Sequence, residues 1–329
     1  MKSIDELVRE QYGLRAREVR KLTVGAGSNT YLIDTNQGKF ILKNANANEM
    51  NHPEREAAIC GHLLRKGLPV SEFLQNKDGV CVWTHRRQVF HMQKFAEGAL
   101  FEWHTAPDWL LDASAQMLGR IHAALEDYPA LPGGIGEDFF RHMTPQAALQ
   151  SYERSCSHAK KTGDAACADD LRYRMNLMRR FSVPEIRPEQ LTRKNTHGDY
   201  FISQLICGGK KINAVIDWTS ACTHPVVWEI MRSYVYAAPE CAGGKIDAGR
   251  FLAYVKQYAA ISALTRYDLE MMAYVFYYQI AVCDYYNQYY QSKADNRHIY
   301  LQQAVLSTRL LRWLEANAAG LSAALCGEI

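Results

Sequence analysis

The hydrophobic pattern of this 329-residue chain changes its character near residue 95. Before that point, short apolar runs such as "KLTV", "TYLIDT" and "KFILK" alternate with turn signals, which is typical of a small antiparallel sheet. After "AEG" at 96–98, long segments keep the helical spacing of apolar residues, and one strand-like island interrupts them at 203–217. The pattern therefore predicts an α+β chain of two lobes, a sheet-rich lobe at 1–95 and a larger, mostly helical lobe at 96–329.

Helix start and stop signals agree with this division. Ser3, with Glu6 three residues later, forms a capping-box pattern for a helix over 3–12. Pro53 suits the first turn of a second helix, which Gly67 ends. The later helical segments are predicted at about 107–125, 145–180, 248–262, 267–291 and 296–318.

The charge balance argues against a polyanionic partner. The chain has 38 Lys and Arg residues against 35 Asp and Glu residues, a net charge of +3, so neither nucleic acid nor an anionic membrane is the expected partner. No apolar run approaches the length of a membrane span, and the amino terminus lacks the apolar core of a signal peptide. Nine scattered cysteines without ligand spacing favour reduced thiols. We therefore expect a cytoplasmic protein that acts on small molecules.

The strand-like island "SQLICGGKKINAVIDW" consists of two apolar runs around a Gly-Gly turn, which predicts a β-hairpin. In the simplest register Cys207 faces Ile212 and, further from the turn, Gln204 faces Val215. Asp217 follows two residues later on the same face, and diagonal neighbours of this kind lie about 7–8 Å apart. The side-chain oxygens of Gln204 and Asp217 could therefore converge on one hard cation.

A second carboxylate precedes this hairpin. Asp199 lies five residues before Gln204, in "HGDYFISQ". Such a set suits phosphoryl transfer, because Asp199 can accept the proton of a substrate hydroxyl while Gln204 and Asp217 hold Mg²⁺ on nucleotide phosphates.

These motifs resemble those of the aminoglycoside phosphotransferase and choline kinase family, which are small-molecule kinases with a protein-kinase-like fold. The catalytic loop of that family reads H-G-D-x-x-x-x-N, and here residues 197–199 match it, with Gln204 at the position of the Asn. The second metal motif of the family reads I-D-[FWY] and is matched by "IDW" at 216–218. The resemblance spans most of the chain and includes "LGRIHAAL" at 118–125 and "HPVVWEIMR" at 224–232.

The amino-terminal lobe carries three features that suit a nucleotide, in the order in which the family has them. Backbone N–H groups can approach phosphates at the turn formed by Gly25, Ala26, Gly27 and Ser28, although a plain hairpin turn would look the same. Lys43 on the next strand suits a phosphate partner, and Glu56 on the following helix could orient it by ion pairing. A solvated lysine and a glutamate that favours the helix dipole are the alternatives.

The resemblance implies the remaining roles. ATP is the expected phosphate donor with Mg²⁺ as its metal, and adenine is expected to lie against the hinge near His91 to Phe95, with Gln93 and Phe95 among the nucleotide-binding residues. The acceptor is a small molecule with a hydroxyl, such as an aminoglycoside, an amino alcohol or another metabolite. His122 and Glu229, the latter in place of the family's Asp, are expected to be structural.

Gln204 is the main departure from the family pattern. Its amide oxygen is still a neutral ligand for a hard cation, but the side chain is one methylene longer than Asn, which predicts weaker Mg²⁺ binding and slower turnover. The alternative function is a catalytically impaired kinase-like protein that binds nucleotide or acts as a scaffold.

Two aromatic features leave their roles open. Tyr200 and Phe201 stand where the family commonly has Leu-His, and they either pack inside the helical lobe or line the acceptor pocket. The tyrosine-rich segment at 274–291 is either a core stripe or, together with Asp284, part of a pocket for a cationic or ring-bearing acceptor.

Overall fold

The structure of the protein is a computed structural model that describes residues 2–22, 29–46, 52–133, 143–293 and 297–329. The described helices are α1 (Ile4–Tyr12), α2 (Pro53–Arg65), α3 (Asp108–Ala124), α4 (Pro145–Thr162), α5 (Ala165–Arg179), α6 (Val226–Ala237), α7 (Ala248–Ala259), α8 (Arg266–Val282), α9 (Tyr285–Gln291) and α10 (His298–Glu328). The strands are β1 (Ala16–Leu22), β2 (Asn29–Thr35), β3 (Gly38–Asn46), β4 (Val82–His85), β5 (Gln88–Lys94), β6 (Arg193–Thr196), β7 (Leu205–Gly208), β8 (Lys211–Val215) and β9 (Cys222–Pro225).

The chain divides into two compact units. The first comprises Met1–Leu100 and Gln204–Ala221, and the second comprises Phe101–Ser203 and Cys222–Ile329. The lobes predicted from the sequence placed 204–221 in the helical part, whereas in the structure this segment belongs to the unit that contains the amino-terminal sheet.

An antiparallel sheet forms the centre of the first unit. Its strand order is β1-β2-β3-β5-β4, and every neighbouring pair is antiparallel, as the turn-separated runs predicted. Helix α1 begins with the predicted capping box, in which the Ser3 N–H donates to the Glu6 carboxylate at 2.9 Å. Apolar residues of α1 and the sheet, including Val8, Ile33 and Leu42, form a shared buried core.

Backbone hydrogen bonds attach the hairpin of β7 and β8 to this first unit. Ala99 and Cys207 exchange two N–H to carbonyl bonds of 2.9 Å, and the Val215 N–H donates to Pro69 at 2.8 Å. Gly98 permits this contact, because it has φ of +143° and a Cβ there would lie 2.5 Å from the Cys207 carbonyl oxygen. The contact explains why the hairpin joins the sheet unit rather than the helices that flank it in sequence.

The register of this hairpin corrects one prediction. Cys207 pairs with Ile212, as predicted, but Leu205 and not Gln204 pairs with Val215. The pairs shift by one residue because a β-bulge interrupts the ladder between Ile206 and Cys207.

The bulge changes the neighbours of the predicted metal ligands. Asn213 is the extra residue on β8, and Gln204 therefore lies opposite Ile216. The Ile216 N–H donates to the Gln204 carbonyl at 3.0 Å. The shift places the Gln204 backbone directly beside the residue that precedes Asp217.

The second unit is mostly helical, with β6 and β9 as a two-stranded antiparallel ribbon. The segment predicted at 145–180 is divided into α4 and α5, because Gly163 has φ of +72° and ends the first helix. The segment predicted at 267–291 is likewise divided into α8 and α9. In the described part of the chain, none of the helices is both long enough and apolar enough to cross a membrane.

Candidate active site

The "HGD" loop of the second unit follows β6 directly. Gly198 has φ of +79°, a conformation that favours glycine, and this sharp turn brings two backbone N–H groups toward helix α6. The Glu229 Oε1 atom accepts from the N–H of Gly198 at 2.7 Å and from the N–H of Tyr200 at 3.3 Å. One buried carboxylate therefore holds the backbone on both sides of Asp199.

A buried hydrogen-bonded chain supports this carboxylate in turn. His122 Nε2 lies 3.0 Å from Glu229 Oε2, and His122 Nδ1 lies 2.7 Å from the Tyr258 hydroxyl. Burial favours a higher pKa for Glu229, but its hydrogen bond with His122 and the nearby histidines lower that pKa to about 2. His122 and Glu229 thus have the structural environment that the sequence predicted, and their contact positions the loop.

His224 is buried beside this network. Its ring packs against Trp228 at a centroid distance of 4.7 Å, and within the described residues neither ring nitrogen has a partner. Burial lowers the pKa of His224 to about 4, so the imidazole is neutral in the folded protein at pH 7.

Because of His224, we expect the folded protein to lose stability in acid. The pKa of His224 is lower in the folded protein than its value of about 6.5 in the unfolded chain. Above pH 6.5 this difference hardly changes the unfolding free energy. As the pH falls toward 4, only the unfolded chain takes up the proton, and the unfolding free energy decreases. Replacing His224 with Phe is expected to reduce the loss of unfolding free energy between pH 7 and pH 5 by about 2 kcal/mol. Urea unfolding at the two pH values measures this. The same replacement at the exposed His298 is the control, and an equal change in both variants would contradict the assignment.

Asp199 is paired with an arginine that sequence reasoning did not find. The Arg232 Nη2 atom donates to Asp199 Oδ1 at 2.6 Å, and the side chains of Arg232 and Asp199 retain 10% and 35% of their exposure. Burial alone would lower the pKa of Arg232, but the Asp199 carboxylate raises it above its ordinary value. A signal for Arg232 was present in the sequence, since it lies three residues after Glu229 and so shares a helix face with it.

The two aromatic residues after Asp199 pack inside the second unit. Tyr200 is fully buried, and its hydroxyl donates to the Ser114 carbonyl at 3.0 Å. Phe201 packs against the Arg232 guanidinium at 5.1 Å and against the Tyr236 ring at 5.5 Å. Both side chains therefore pack in the interior of the second unit. Phe201 also helps to hold the Arg232 guanidinium that contacts Asp199.

In the first unit, the predicted lysine and glutamate converge on the end of the hairpin. Lys43 on β3 places its Nζ atom 4.0 Å from Asp217 Oδ1 and retains 19% of its side-chain exposure. Glu56 on α2 is buried and accepts from the Trp218 N–H at 3.3 Å. Burial alone would lower the pKa of Lys43, but attraction to Glu56 and then to Asp217 raises it.

Asp217 has an unusual backbone conformation. It lies in the left-handed region, with φ and ψ both 65°, and its Oδ1 atom accepts from the Thr219 hydroxyl at 2.9 Å. Its side chain retains 42% of its exposure, so one carboxylate is presented to solvent beside Lys43. A strained acidic residue of this kind is more common at functional sites than elsewhere.

The donor chemistry of Gln204 and Asp217 fits Mg²⁺. The two residues supply one carboxylate and one amide oxygen, and Mg²⁺ is commonly bound by one or two carboxylates while nucleotide phosphates and water complete the octahedron. In the described ranges, this site included, no group of three or more His, Cys, Asp or Glu residues could hold a metal ion by itself.

The other residues predicted to bind the nucleotide are Gly25 to Ser28, Gln93 and Phe95. Gly25 to Ser28 lie outside the described residues. Gln93 is buried, with its Nε2 atom 3.4 Å from His91 Nε2, and the Phe95 N–H donates to the Lys39 carbonyl at 3.1 Å. Because the Phe95 N–H is already bonded within the sheet, base recognition at this residue would use its carbonyl or its ring. Contact of Gln93 and Phe95 with adenine stays a prediction.

The family model described as "Phosphotransferase enzyme family" matches residues 18–264 of this chain. The chain belongs to the phosphotransferase enzyme family. The matched range contains Lys43, Glu56, Asp199, Gln204 and Asp217, so it includes every predicted catalytic and metal-binding residue.

Two curated relatives of the chain are homoserine kinases. The chain is 23% identical over 229 residues to a homoserine kinase of Zymomonas mobilis, an alignment that covers 67% of this chain and 65% of that protein. A second homoserine kinase, from Hyphomonas neptunium, is 24% identical over 69% of this chain and 65% of its own length. The chain thus spans just under two thirds of the length of these relatives.

Solved structures of other phosphotransferases share the fold. Spectinomycin phosphotransferase in complex with ADP and spectinomycin superposes with a TM-score of 0.61, 13% identity and coverage of 96% of this chain and 98% of that one. A microcompartment-associated aminopropanol kinase superposes with a TM-score of 0.64, 13% identity and coverage of 97% and 98%. The protein-kinase-like α+β fold predicted from the motifs is therefore confirmed.

Proposed function

We propose that the protein is an ATP- and Mg²⁺-dependent phosphotransferase that moves the γ-phosphoryl group to a hydroxyl of a small metabolite. The observation that carries this proposal is the convergence of Lys43, Glu56 and Asp217 in the first unit. A lysine oriented by a helix glutamate and set beside a metal-binding aspartate is the arrangement that holds nucleotide phosphates in kinase-like enzymes.

Each residue of the site has its own role in the proposed reaction. Asp199 accepts the proton of the acceptor hydroxyl, whose oxygen forms a bond to the γ-phosphorus as the bond to the bridging oxygen breaks and ADP leaves. Lys43 neutralises phosphate charge, and Gln204 with Asp217 would hold the metal. When bound, Mg²⁺ would stabilise the charge that develops on the phosphate oxygens.

The acceptor is proposed to be a small amino alcohol or hydroxy amino acid. The curated relatives are homoserine kinases, and one structural neighbour is an aminopropanol kinase, which supports an acceptor of this size. The fully buried positions of Tyr200 and Tyr286 favour packing over a wide aromatic pocket for a ring-bearing antibiotic.

An acceptor screen tests the proposal. ADP release is measured with ATP and Mg²⁺ in the presence of homoserine, amino alcohols, aminoglycosides, sugars and nucleosides, with acceptor-free reactions as blanks. We expect release above the blank with at least one small amino alcohol or hydroxy amino acid. If no acceptor raises ADP release and ATP stabilises the protein equally with and without Mg²⁺, a catalytically silent nucleotide-binding protein is the better description.

Gln204 offers a further prediction about the metal. Replacing Gln204 with Asn is expected to lower the Mg²⁺ concentration at half-maximal activity by several-fold, because the shorter amide matches the ligand length of the family pattern. A Mg²⁺ titration of initial rates measures this. Gln204→Ala is the matched loss-of-ligand variant and should shift the midpoint the other way. Unchanged midpoints in both variants would remove Gln204 from the metal site.

A further inference from the structure

Arg232 carries a buried positive charge that is paired with the Asp199 carboxylate. Among the described residues, Asp199 is the one carboxylate in ion-pair contact with its guanidinium, at 2.6 Å. Three rings pack around the same group, with centroids at 5.1 Å for Phe201, 5.5 Å for Trp228 and 4.8 Å for Tyr236. These contacts hold the guanidinium in a fixed place next to the proposed base.

One donor of this guanidinium is unused. Within the described residues the buried Nε atom of Arg232 has no hydrogen-bond partner, while Nη2 donates to Asp199. A buried donor without an acceptor is costly, so its persistence calls for an explanation. The guanidinium presents its N–H groups in a planar fork that matches the two oxygens of a carboxylate.

A small cavity lies beside this arginine. Arg232, Tyr236, Gln279, Tyr285 and Ser307 contribute its polar lining. The free space is about that of one water molecule, which excludes a sugar ring, and a ligand carboxylate would enter only as the lining side chains move apart.

The contact between Arg232 and Asp199 places the Nε donor, unpaired within the described residues, near the expected position of the acceptor. A hydroxyl that gives its proton to Asp199 must come within about 3 Å of that carboxylate, and Arg232 contacts the same carboxylate. An acceptor whose anionic group lies a few bonds from its hydroxyl could therefore reach both residues. A polycationic acceptor would instead be repelled by Arg232.

We propose that Arg232 binds a carboxylate of the acceptor, and that the acceptor is therefore a small hydroxy acid such as a hydroxy amino acid. The proposal rests on the proposed function, because it takes Asp199 as the base. In this proposal Arg232 selects the substrate. That role explains why an arginine is present beside Asp199, although its ion pair makes Asp199 a weaker base. The γ-phosphate of the nucleotide is the other anion that could reach Arg232, and the experiment separates the two.

The test compares two acceptors that differ by one group. Homoserine and 3-aminopropan-1-ol share the hydroxyl, the chain and the amine, and only homoserine has the carboxylate. The ratio of their kcat/KM values is measured for the wild type, Arg232→Met and Arg232→Lys. We expect the wild type to prefer homoserine by about 10- to 100-fold, the strength of charged hydrogen bonds, and the ratio to fall toward one in Arg232→Met. Arg232→Lys keeps the charge but not the fork and should give an intermediate ratio.

Two controls keep the result interpretable. Arg250→Met removes another arginine of the second unit, paired with Asp108 and Glu240, and should leave the ratio unchanged. Calorimetric binding of homoserine, in the presence of a non-hydrolysable ATP analogue, gives a readout that does not need turnover, and thermal unfolding verifies that each variant is folded.

The outcomes separate the two proposals. Equal use of both acceptors by the wild type would overturn the role of Arg232 and leave the proposed function standing. An equal loss with both acceptors in Arg232→Met would also overturn it, and would assign Arg232 to the phosphate or to Asp199 alone. Homoserine binding that Arg232→Met abolishes, without any transfer, would support the carboxylate site and refute the phosphotransferase.

Discussion

Replacing Asp199 with Asn is expected to lower the turnover number by about 100- to 10,000-fold, the usual contribution of a positioned general base. Asn has nearly the same shape, and its amide oxygen can still accept from Arg232 Nη2, so the loop should keep its structure. Nucleotide affinity should stay within about two-fold of wild type, because the proposed phosphate ligands belong to the other unit. Single-turnover kinetics with a saturating acceptor, together with titration of a nucleotide analogue, measures both quantities.

Asp199→Ala serves as the contrasting variant for this prediction. It removes the base and also leaves the buried Arg232 without its only carboxylate contact in the described chain, so it should additionally lose stability. Asn and Ala should therefore agree in turnover and differ in unfolding midpoint. Wild-type turnover in Asp199→Asn would exclude Asp199 as the base.

Replacing Glu229 with Ala is expected to reduce the unfolding free energy by about 3–5 kcal/mol, because several buried hydrogen-bonding groups lose their partner and each costs about 1–3 kcal/mol when left unpaired. The change leaves the N–H groups of Gly198 and Tyr200 and the His122 ring without their shared acceptor, in a site from which water is excluded. Urea unfolding at pH 7 measures the loss.

The carboxamide variant separates charge from shape at the same position. Glu229→Gln keeps one oxygen for the loop N–H groups but removes the charge that faces His122, and it should cost less than Glu229→Ala. Glu229→Asp keeps the charge and shortens the reach. Full stability in Glu229→Ala would show that the loop is held by other contacts.

Local signals predicted the parts of the fold that depend on neighbouring residues. The capping box of Ser3 and Glu6 is confirmed, because both hydrogen bonds form within one turn of helix. The hairpin was predicted from its Gly-Gly turn, but the pairing of Gln204 was wrong. A bulge adds one residue to a strand without leaving a mark in the hydrophobic pattern, so the register beyond it cannot be read from alternation alone.

The candidate site shows the same limit. The catalytic loop and the "IDW" motif were visible as sequence, and the convergence of Lys43 and Asp217 follows the predicted order. Arg232 was missed because it contacts a residue 33 positions earlier, and its helical spacing from Glu229, although visible in the sequence, does not by itself identify that partner.

The segments predicted as helices from apolar spacing did not include α6, although "HPVVWEIMR" at 224–232 was part of the family resemblance. All twelve of its residues, from Val226 to Ala237, are buried, including the polar Glu229, Arg232 and Ser233, which lie on one face at helical spacing. Glu229 and Arg232, the two charged residues that the helix carries, both contact the Asp199 loop.

This burial also determines how the sequence can vary. In a saturation mutagenesis experiment, α7 should tolerate change at every position except its buried stripe at Phe251, Tyr254, Val255 and Tyr258. In α6, by contrast, polar substitutions at every residue should destabilise the fold, because all of its positions are buried. Because α6 holds the "HGD" loop through Glu229 and Arg232 and has no exposed face, few of its positions can change one at a time without loss of folding. New acceptor specificity would therefore have to arise through residues outside α6, or through the single exchange of Arg232 itself.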